Sequence, residues 1–242
     1  MNKREFIAYN VAQMFHDGDV VNLGVGIPTL ASTYTPEGMT VFFHAENGAV
    51  GCDKAGFFPF SLATREEYIA WMETCGGEKG SWRTEHRDLC NATGETVSLI
   101  PGAACFDSTM AFAIARGGHL DATVLGALQV DRQCNLANWK IPGKKLNGMG
   151  GAMDIVSGAR RVIIAMEHCT RDGSPKIVER CTLPLTAAGC VSTIVTELCI
   201  IDCVPGRLKV TAIAPGVTRE EIVSRTGAEL LFADELTEMP SL

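Results

Sequence analysis

Residues 41–51 have the sequence VFFHAENGAVG, and the predicted fold is organised around this stretch. The β-branched and aromatic residues at 40–43 predict a buried strand, and Asn47-Gly48 predicts a turn directly after it. Glu46 is therefore expected at the carboxyl end of a strand, where open α/β sheets bind their ligands. A carboxylate held there can attack a reacting carbon, but for these three residues alone a solvated glutamate before a tight turn is the alternative.

The composition predicts an ordered globular protein that does not bind nucleic acid. Hydrophobic residues make up 46% of the 242, charged residues 20%, and the formal net charge is -7 without a long basic run. No stretch approaches the ~18 continuous apolar residues of a membrane span, and the charged N-terminus lacks the apolar core of a signal peptide. A cytoplasmic protein is therefore expected. The ten cysteines are spread without a C-x-x-C pair, which favours buried, reduced thiols.

Strand and helix patterns alternate along the chain. Predicted strands lie at residues 20–23, 40–43, 97–100, 122–125, 161–166 and 208–214, and Pro101-Gly102 is expected to turn the chain. Predicted helices lie near residues 7–15, after a cap at Asp107 or Ser108, at 152–157, at 190–198 and after a cap at Thr218. The alternation predicts an α/β fold with an open, mainly parallel sheet and helices on both faces. No repeat or linker divides the sequence, so residues 1–242 are expected to form a single domain.

Two ligand-binding patterns are considered and not favoured. The run GVGIPT at residues 24–29 lacks the third glycine of G-x-G-x-x-G, which argues against NAD, although Gly24 and Gly26 allow the backbone to approach a ligand. Three residues have the side chains of zinc ligands: Cys75, His86 and Cys90. Without a second close cysteine pair an ordinary surface excursion is favoured, and no metal is expected.

Several motifs, taken in order, resemble the β subunit of the family I coenzyme A transferases, of the 3-oxoacid, acetoacetate and butyrate type. The matching blocks are VNLGVGIPTL at 21–30, ENG at 46–48, RGGHLD at 116–121, VLGALQVD at 124–131, NLANWKIPGK at 135–144, GMGGAMD at 148–154, LPLT at 183–186 and APGVT at 214–218. So many blocks in one order, over residues 20–228, make the resemblance specific. It implies a CoA-transferase-like fold and no cofactor, since coenzyme A is a co-substrate.

The resemblance implies a ping-pong transfer of CoA between carboxylic acids with Glu46 as the nucleophile. Its carboxylate would attack an acyl-CoA thioester to give a mixed anhydride, which the CoA thiolate converts into a glutamyl-CoA thioester. An incoming carboxylate then reverses the sequence. A carboxylate suits this reaction because the anhydride keeps the acyl group transferable.

The resemblance also suggests the remaining site residues. Gly126 and Ala127 follow a predicted strand, and their N–H groups are candidates for an oxyanion hole, with a simple tight turn as the alternative. Further candidates for binding substrate or CoA are Gly24, Gly26 and Asn47, which either holds the carboxylate or only makes the turn. Lys144, Lys145 and Gly150 suit CoA phosphates or pantetheine, with a solvated loop before a helix as the alternative. His44 and His119 are predicted to be structural, because a carboxylate nucleophile with a stable thiolate leaving group needs no general base.

The sequence departs from the family pattern in two places. Ala45 stands where the family usually has serine, which removes one hydroxyl beside the nucleophile. The segment at 52–96 is longer than the short Gly-Pro-rich loop expected after the glutamate, and we expect this difference to affect substrate choice. We expect this segment to cover the acyl pocket or a partner surface through its aromatic residues Phe57, Phe58, Phe60 and Trp82.

The family's active site lies between two related domains, so the resemblance implies an α subunit as partner, in an α₂β₂ or (αβ)₄ assembly. The expected substrates are a short-chain acyl-CoA and a short carboxylate or 3-oxoacid. Three alternatives are kept open. One is a transferase for 3-oxoadipate or another dicarboxylate, and the second is a sugar-phosphate isomerase or sensor on the same scaffold. The third, a non-catalytic binding subunit, is opposed by the presence of Glu46.

Overall fold

A computed structural model describes residues 1–54, 89–143 and 148–241. The strands β1 to β13 of these ranges cover Val20–Leu23, Phe42–Ala45, Ala49–Lys54, Val97–Cys105, Ala122–Leu125, Gln129–Asp131, Leu136–Ala137, Val162–Ala165, Ile177–Val178, Thr193–Val195, Cys199–Val204, Arg207–Ile213 and Leu231–Glu238. The helices α1 to α5 of the same ranges cover Lys3–Ala12, Ile27–Leu30, Ser108–Arg116, Ala152–Gly158 and Arg219–Ser224, and a 3₁₀ helix follows α2 at Ala31–Tyr34.

One large sheet organises the fold. Its order is β13-β12-β11-β10-β8-β5-β1-β2-β3-β4, and a small second sheet has the order β7-β6-β9. The centre of the large sheet, from β10 to β2, is entirely parallel, whereas β3, β4 and β11 run antiparallel to their neighbours. Strands β5 and β8 are buried at every position, as expected where both faces of a parallel sheet are covered. The predicted open, mainly parallel sheet is confirmed.

Helices cover both faces of this centre. Ile163 of β8 packs in one core cluster with Ile7 and Val11 of α1, whereas Ile164 packs in another with Val156 of α4. Successive side chains of a strand point to opposite faces, so α1 and α4 lie on opposite sides of the sheet. The predicted two-sided arrangement is therefore confirmed. None of the helices within the described ranges combines the length and the apolar character needed to span a bilayer.

The helix predicted at 190–198 is wrong. The segment contains β10, which pairs in parallel with β8 and antiparallel with β11. Its apolar residues lie at helical spacing: Val191, Ile194, Val195 and Leu198. The β-branched run at 193–195 and the pairing partners on both sides outweigh that spacing.

The turn predicted at Pro101-Gly102 is also wrong, because β4 continues through both residues to Cys105. Strand β4 lies last in the order of the sheet, and proline is tolerated on an edge strand. The pairing of β3 with β4 shifts register between Val50 and Cys52, and Gly102 has a φ of 85°. The glycine therefore accompanies an irregularity in the ladder and does not end the strand.

Candidate active site

Glu46 lies directly after β2, at the start of the hairpin that leads into β3. The turn is closed by a hydrogen bond from the Gly48 N–H to the Ala45 carbonyl, at 3.0 Å. Gly48 has a φ of 132°, and a Cβ there would lie 2.2 Å from the Phe106 carbonyl oxygen. Only glycine fits this position without displacing backbone, which explains why residue 48 is a glycine. The predicted strand and turn around Glu46 are confirmed.

The register of the central strands brings three segments to one edge of the sheet. Strand β1 lies between β2 and β5, and Asn22 pairs with His44 on one side and Thr123 on the other. Because these strands are parallel, their carboxyl ends meet, so Glu46, the segment after β1 and Gly126 share an edge. With strands about 4.8 Å apart, Glu46 and Gly126 follow strands separated by about 10 Å.

A buried polar network holds the Glu46 carboxylate. Asn22 donates from Nδ2 to Glu46 Oε2 at 3.0 Å, and its own Oδ1 accepts from Thr123 Oγ at 3.2 Å. Asn22 and Thr123 are 1% and 0% exposed, whereas Glu46 is half-buried. Among the described residues, Glu46 Oε1 accepts no hydrogen bond. One carboxylate oxygen is therefore fixed by an amide, and the other has no hydrogen-bond donor within the described part of the chain.

His44 supports the same asparagine. Its Nε2 lies 3.2 Å from the Ala111 carbonyl oxygen and must carry the proton there, so Nδ1 presents a lone pair to Asn22 Nδ2 at 3.4 Å. Burial lowers the pKa of His44, although the Ala111 carbonyl and the Glu46 charge act in the opposite direction. The ring is thus neutral, and Asn22 Nδ2 also donates to the His44 carbonyl oxygen at 3.2 Å, so the histidine backbone and ring both face the amide that binds the carboxylate.

A cavity of about 220 Å³ lies against Glu46. Its described lining combines apolar side chains with hydroxyl groups: Leu23, Phe43, Val97, Thr29, Ser32, Thr93 and Thr96. The charged groups among its described lining residues are Glu46 and Glu95, and both are acidic. The cavity therefore has room and polarity for a small uncharged group beside the carboxylate.

The peptide that joins Gly126 to Ala127 lies just beyond β5. In the described part of the chain, neither N–H donates to a protein acceptor, and a Cβ at Gly126 would meet no described atom within 4 Å. The Gly126 carbonyl accepts from Asn138 Nδ2 at 3.2 Å. Free N–H donors at the edge that carries Glu46 have the chemistry of an oxyanion site, and their role there stays a prediction.

The other predicted binding residues differ in their surroundings. Asn47 is exposed and donates from Nδ2 to the Cys90 carbonyl at 2.8 Å, so its amide is directed to residue 90. Gly24 packs closely on β5, since a Cβ there would lie 3.0 Å from Leu125 Cδ2. Gly26 and Gly150 have positive φ angles of 93° and 54°. The remaining predicted positions lie outside the described residues: Lys144, Lys145, Phe57, Phe58, Phe60, Trp82, Cys75 and His86.

Sequence reasoning missed Asn22 and Thr123. Each is a polar residue inside a short strand that is otherwise apolar, VVNL in β1 and ATVL in β5. A buried polar side chain needs a hydrogen-bond partner, so these interruptions were the available signal. The identity of the partner required the register of three strands.

The comparisons with known proteins agree with this architecture. An acyl-CoA transferase apoenzyme from Escherichia coli O157:H7 superimposes with a TM-score of 0.71 at 20% identity, over 99% of this chain and 43% of that chain. This likeness concerns the fold, and it defines the α/β arrangement as that of the CoA-transferases.

The sequence comparisons are more specific. Residues 81–225 match the coenzyme A transferase family. The acetate CoA-transferase subunit beta of Escherichia coli K12 is 45% identical over 236 residues, 98% of this chain and 97% of that protein. The human mitochondrial succinyl-CoA:3-ketoacid coenzyme A transferase 2 is 42% identical over 98% of this chain and 41% of its own length. The chain belongs to the coenzyme A transferase family, and it is a transferase of CoA.

Proposed function

We propose that this chain is the β subunit of an enzyme that moves CoA between a short-chain acyl-CoA and a short carboxylate or 3-oxoacid, through a glutamyl-CoA thioester on Glu46. The observation that carries the proposal is the Glu46 carboxylate itself, half-buried beside a cavity and bound through one oxygen to the buried Asn22. A carboxylate with one anchored and one free oxygen is prepared for nucleophilic attack.

The reaction begins when Glu46 Oε1 attacks the thioester carbonyl of the acyl-CoA. A C–O bond forms, the carbonyl electrons move to oxygen, and their return breaks the C–S bond and releases CoA thiolate. The N–H groups of Gly126 and Ala127 are the proposed donors to that oxyanion. No proton has to be transferred, because the nucleophile is already an anion and the leaving thiolate is stable.

The thiolate then attacks the glutamyl carbonyl of the mixed anhydride. In this step Oε2 takes up the negative charge, and Asn22 already donates to that oxygen. Collapse of the second oxyanion breaks the C–O bond, releases the product carboxylate and leaves CoA on Glu46. A second carboxylate substrate regenerates Glu46 by the same two steps in reverse.

The cavity favours a small acyl group without a second charge. Its volume of about 220 Å³ suits a short chain, and its described hydroxyl groups can bind a 3-oxo group. Glu95 would repel the free carboxylate of a dicarboxylic substrate. The acetate enzyme of Escherichia coli K12 fits this preference, whereas the human relative's name includes succinyl-CoA. A 3-oxoadipate or other dicarboxylate transferase is therefore the second candidate.

The proposed partner is a CoA-transferase α subunit, in an α₂β₂ or (αβ)₄ assembly. The Escherichia coli K12 relative is a subunit beta, and this chain covers only 41% of the longer human relative. A mixed anhydride is also hydrolysed if water reaches it, so a second subunit over the edge of the sheet would protect the intermediate.

The proposal is tested with the complex of both subunits. After acyl-CoA is added, mass spectrometry of the Glu46 peptide should show covalent CoA, and borohydride should trap the thioester. Glu46→Gln should abolish both the adduct and turnover, by more than roughly 10³-fold. The exposed Glu37, before the amino end of β2, supplies the matched control Glu37→Gln, which should behave as wild type. Turnover that survives in Glu46→Gln would rule out this mechanism.

A further inference from the structure

Asn138 reaches the candidate oxyanion peptide from the small second sheet. It follows β7, which pairs with β6, and its Nδ2 lies 3.2 Å from the Gly126 carbonyl oxygen. Twelve residues separate the two along the chain. The amide therefore links the end of a central strand to a loop outside the large sheet.

Thr186 fixes which way the Asn138 amide points. The Thr186 hydroxyl accepts from the Asn138 backbone N–H at 3.2 Å, and it lies 2.6 Å from Asn138 Oδ1. Because the hydroxyl has only one proton, it donates that proton to Oδ1 and accepts from the N–H. The Nδ2 group is then directed at Gly126, since a flipped amide would place two oxygen atoms against each other. Thr186 is itself buried.

The bond to the Gly126 carbonyl sets the direction of the next N–H. The peptide bond from Gly126 to Ala127 is planar and trans, so its carbonyl and its N–H point in opposite directions. Holding the carbonyl on one side therefore holds the Ala127 N–H on the other. That N–H has no protein acceptor among the described residues. A Cβ at Gly126 would meet no described atom within 4 Å, so packing by the described residues does not fix the peptide at that position.

We propose that Asn138, held by Thr186, is a positioning residue that aims the Ala127 N–H at the oxyanion formed when Glu46 attacks the thioester. This inference rests on the proposed function, because it assigns a task within that reaction. Asn138 acts only through the Gly126–Ala127 peptide and contacts neither the substrate nor the Glu46 carboxylate. Preorganised donors accelerate a reaction because they need no reorientation as charge develops.

The test compares Asn138→Ala with Asn135→Ala in the complete two-subunit enzyme. Asn135 is a matched control, since it is the same residue type at the other end of β7, partly buried, with two side-chain hydrogen bonds to Asp131 and Gly189. The measured quantities are the single-turnover rate of glutamyl-CoA formation, the KM for acyl-CoA and the Tm. Asn138→Ala should slow glutamyl-CoA formation by about 10-fold or more, short of the roughly 10²–10³-fold expected for a lost donor, with KM within about twofold.

Thr186 provides the second arm. Thr186→Val should slow the same step in the same direction, Thr186→Ser should restore it, and Asn138→Ala combined with Thr186→Val should be little slower than Asn138→Ala alone. If Asn138→Ala forms the thioester as fast as wild type, or is no slower than Asn135→Ala at a similar Tm, the positioning role is refuted while the Glu46 mechanism stands. If the wild-type enzyme forms no adduct on Glu46, the proposed function fails first, and the two failures are distinguishable.

Discussion

Asn22→Ala is expected to slow the steps in which the glutamyl carbonyl is attacked. In these steps Oε2 changes from a neutral carbonyl oxygen to an oxyanion, so the bond from Asn22 Nδ2, 3.0 Å long with the free carboxylate, strengthens in the transition state. A hydrogen bond to a charged group contributes about 1.5–3 kcal/mol. If the transition state loses this whole contribution, the barrier rises by the same amount and the rate falls by about 10- to 150-fold.

The assay isolates that step. The glutamyl-CoA form of the two-subunit enzyme is prepared with acyl-CoA, freed of product and mixed with a carboxylate substrate, and loss of the thioester is followed by rapid quench. The KM for acyl-CoA should stay within about twofold, because Asn22 binds the enzyme's carboxylate and not the substrate. Removal of the amide also leaves the buried Thr123 hydroxyl without its partner, which costs about 1–3 kcal/mol of folding free energy.

A buried asparagine elsewhere separates the kinetic effect from the loss of stability. Asn10 of α1 is 1% exposed and donates from Nδ2 to the carbonyls of Phe6 and Pro240, with no hydrogen bond to Glu46. Asn10→Ala should therefore lower the free energy of unfolding without slowing thioester consumption. The reasoning is refuted if Asn22→Ala consumes the thioester within about twofold of the wild-type rate, or if Asn10→Ala is equally slow.

Two further predictions concern stability. Gly48→Ala should lower the free energy of unfolding by at least about 2 kcal/mol, because it adds a clash with the Phe106 carbonyl to the strain of a positive φ. In urea titrations the control Gly38→Ala, with positive φ and no described neighbour within 4 Å, should lose less, and an equal loss would exclude the clash. His168 is fully buried, and its burial lowers its pKa from 6.5 to about 4. The unfolded chain therefore binds more protons between these pH values. The free energy of unfolding should fall by up to about 3 kcal/mol as the pH drops from 6.5 to 4, and Tm should fall with it. His168→Gln should flatten this dependence, and an unchanged slope would contradict the assignment.

The parts of the fold that depend on local pattern could be predicted from the sequence. Glu46 after a buried strand, and the glycine turn behind it, follow from a few adjacent residues. The segment at 190–198 was mispredicted because its apolar residues satisfy a helical period, while its strand conformation depends on β8 and β11 on either side. Local sequence contains no information about those neighbours.

The polar contacts of the site could not be predicted for the same reason. The bond from Thr123 to Asn22 joins residues 101 apart, and Asn138 meets Thr186 across 48 residues. Asparagine and threonine are common in turns and caps, so their type alone gives no indication of a shared network. Strand register places Asn22 beside Thr123, and the bridge between Leu136 and Ala187 brings Thr186 to Asn138.

The parallel pairing of β1 with β5 has a consequence for the order of folding. Its ladder joins Val21 to Ala122, so the ribosome must release roughly half of the chain before β1 can pair with β5, although β2 is already available. Sheets with such high contact order close slowly, and until then the edges of β1 and β2 can pair with other chains. The pairing of β1 with β2 brings Asn22 to Glu46 early, whereas the Thr123 hydroxyl that holds Asn22 arrives only with β5. A newly made chain therefore completes the polar network around its nucleophile late, together with the centre of its sheet.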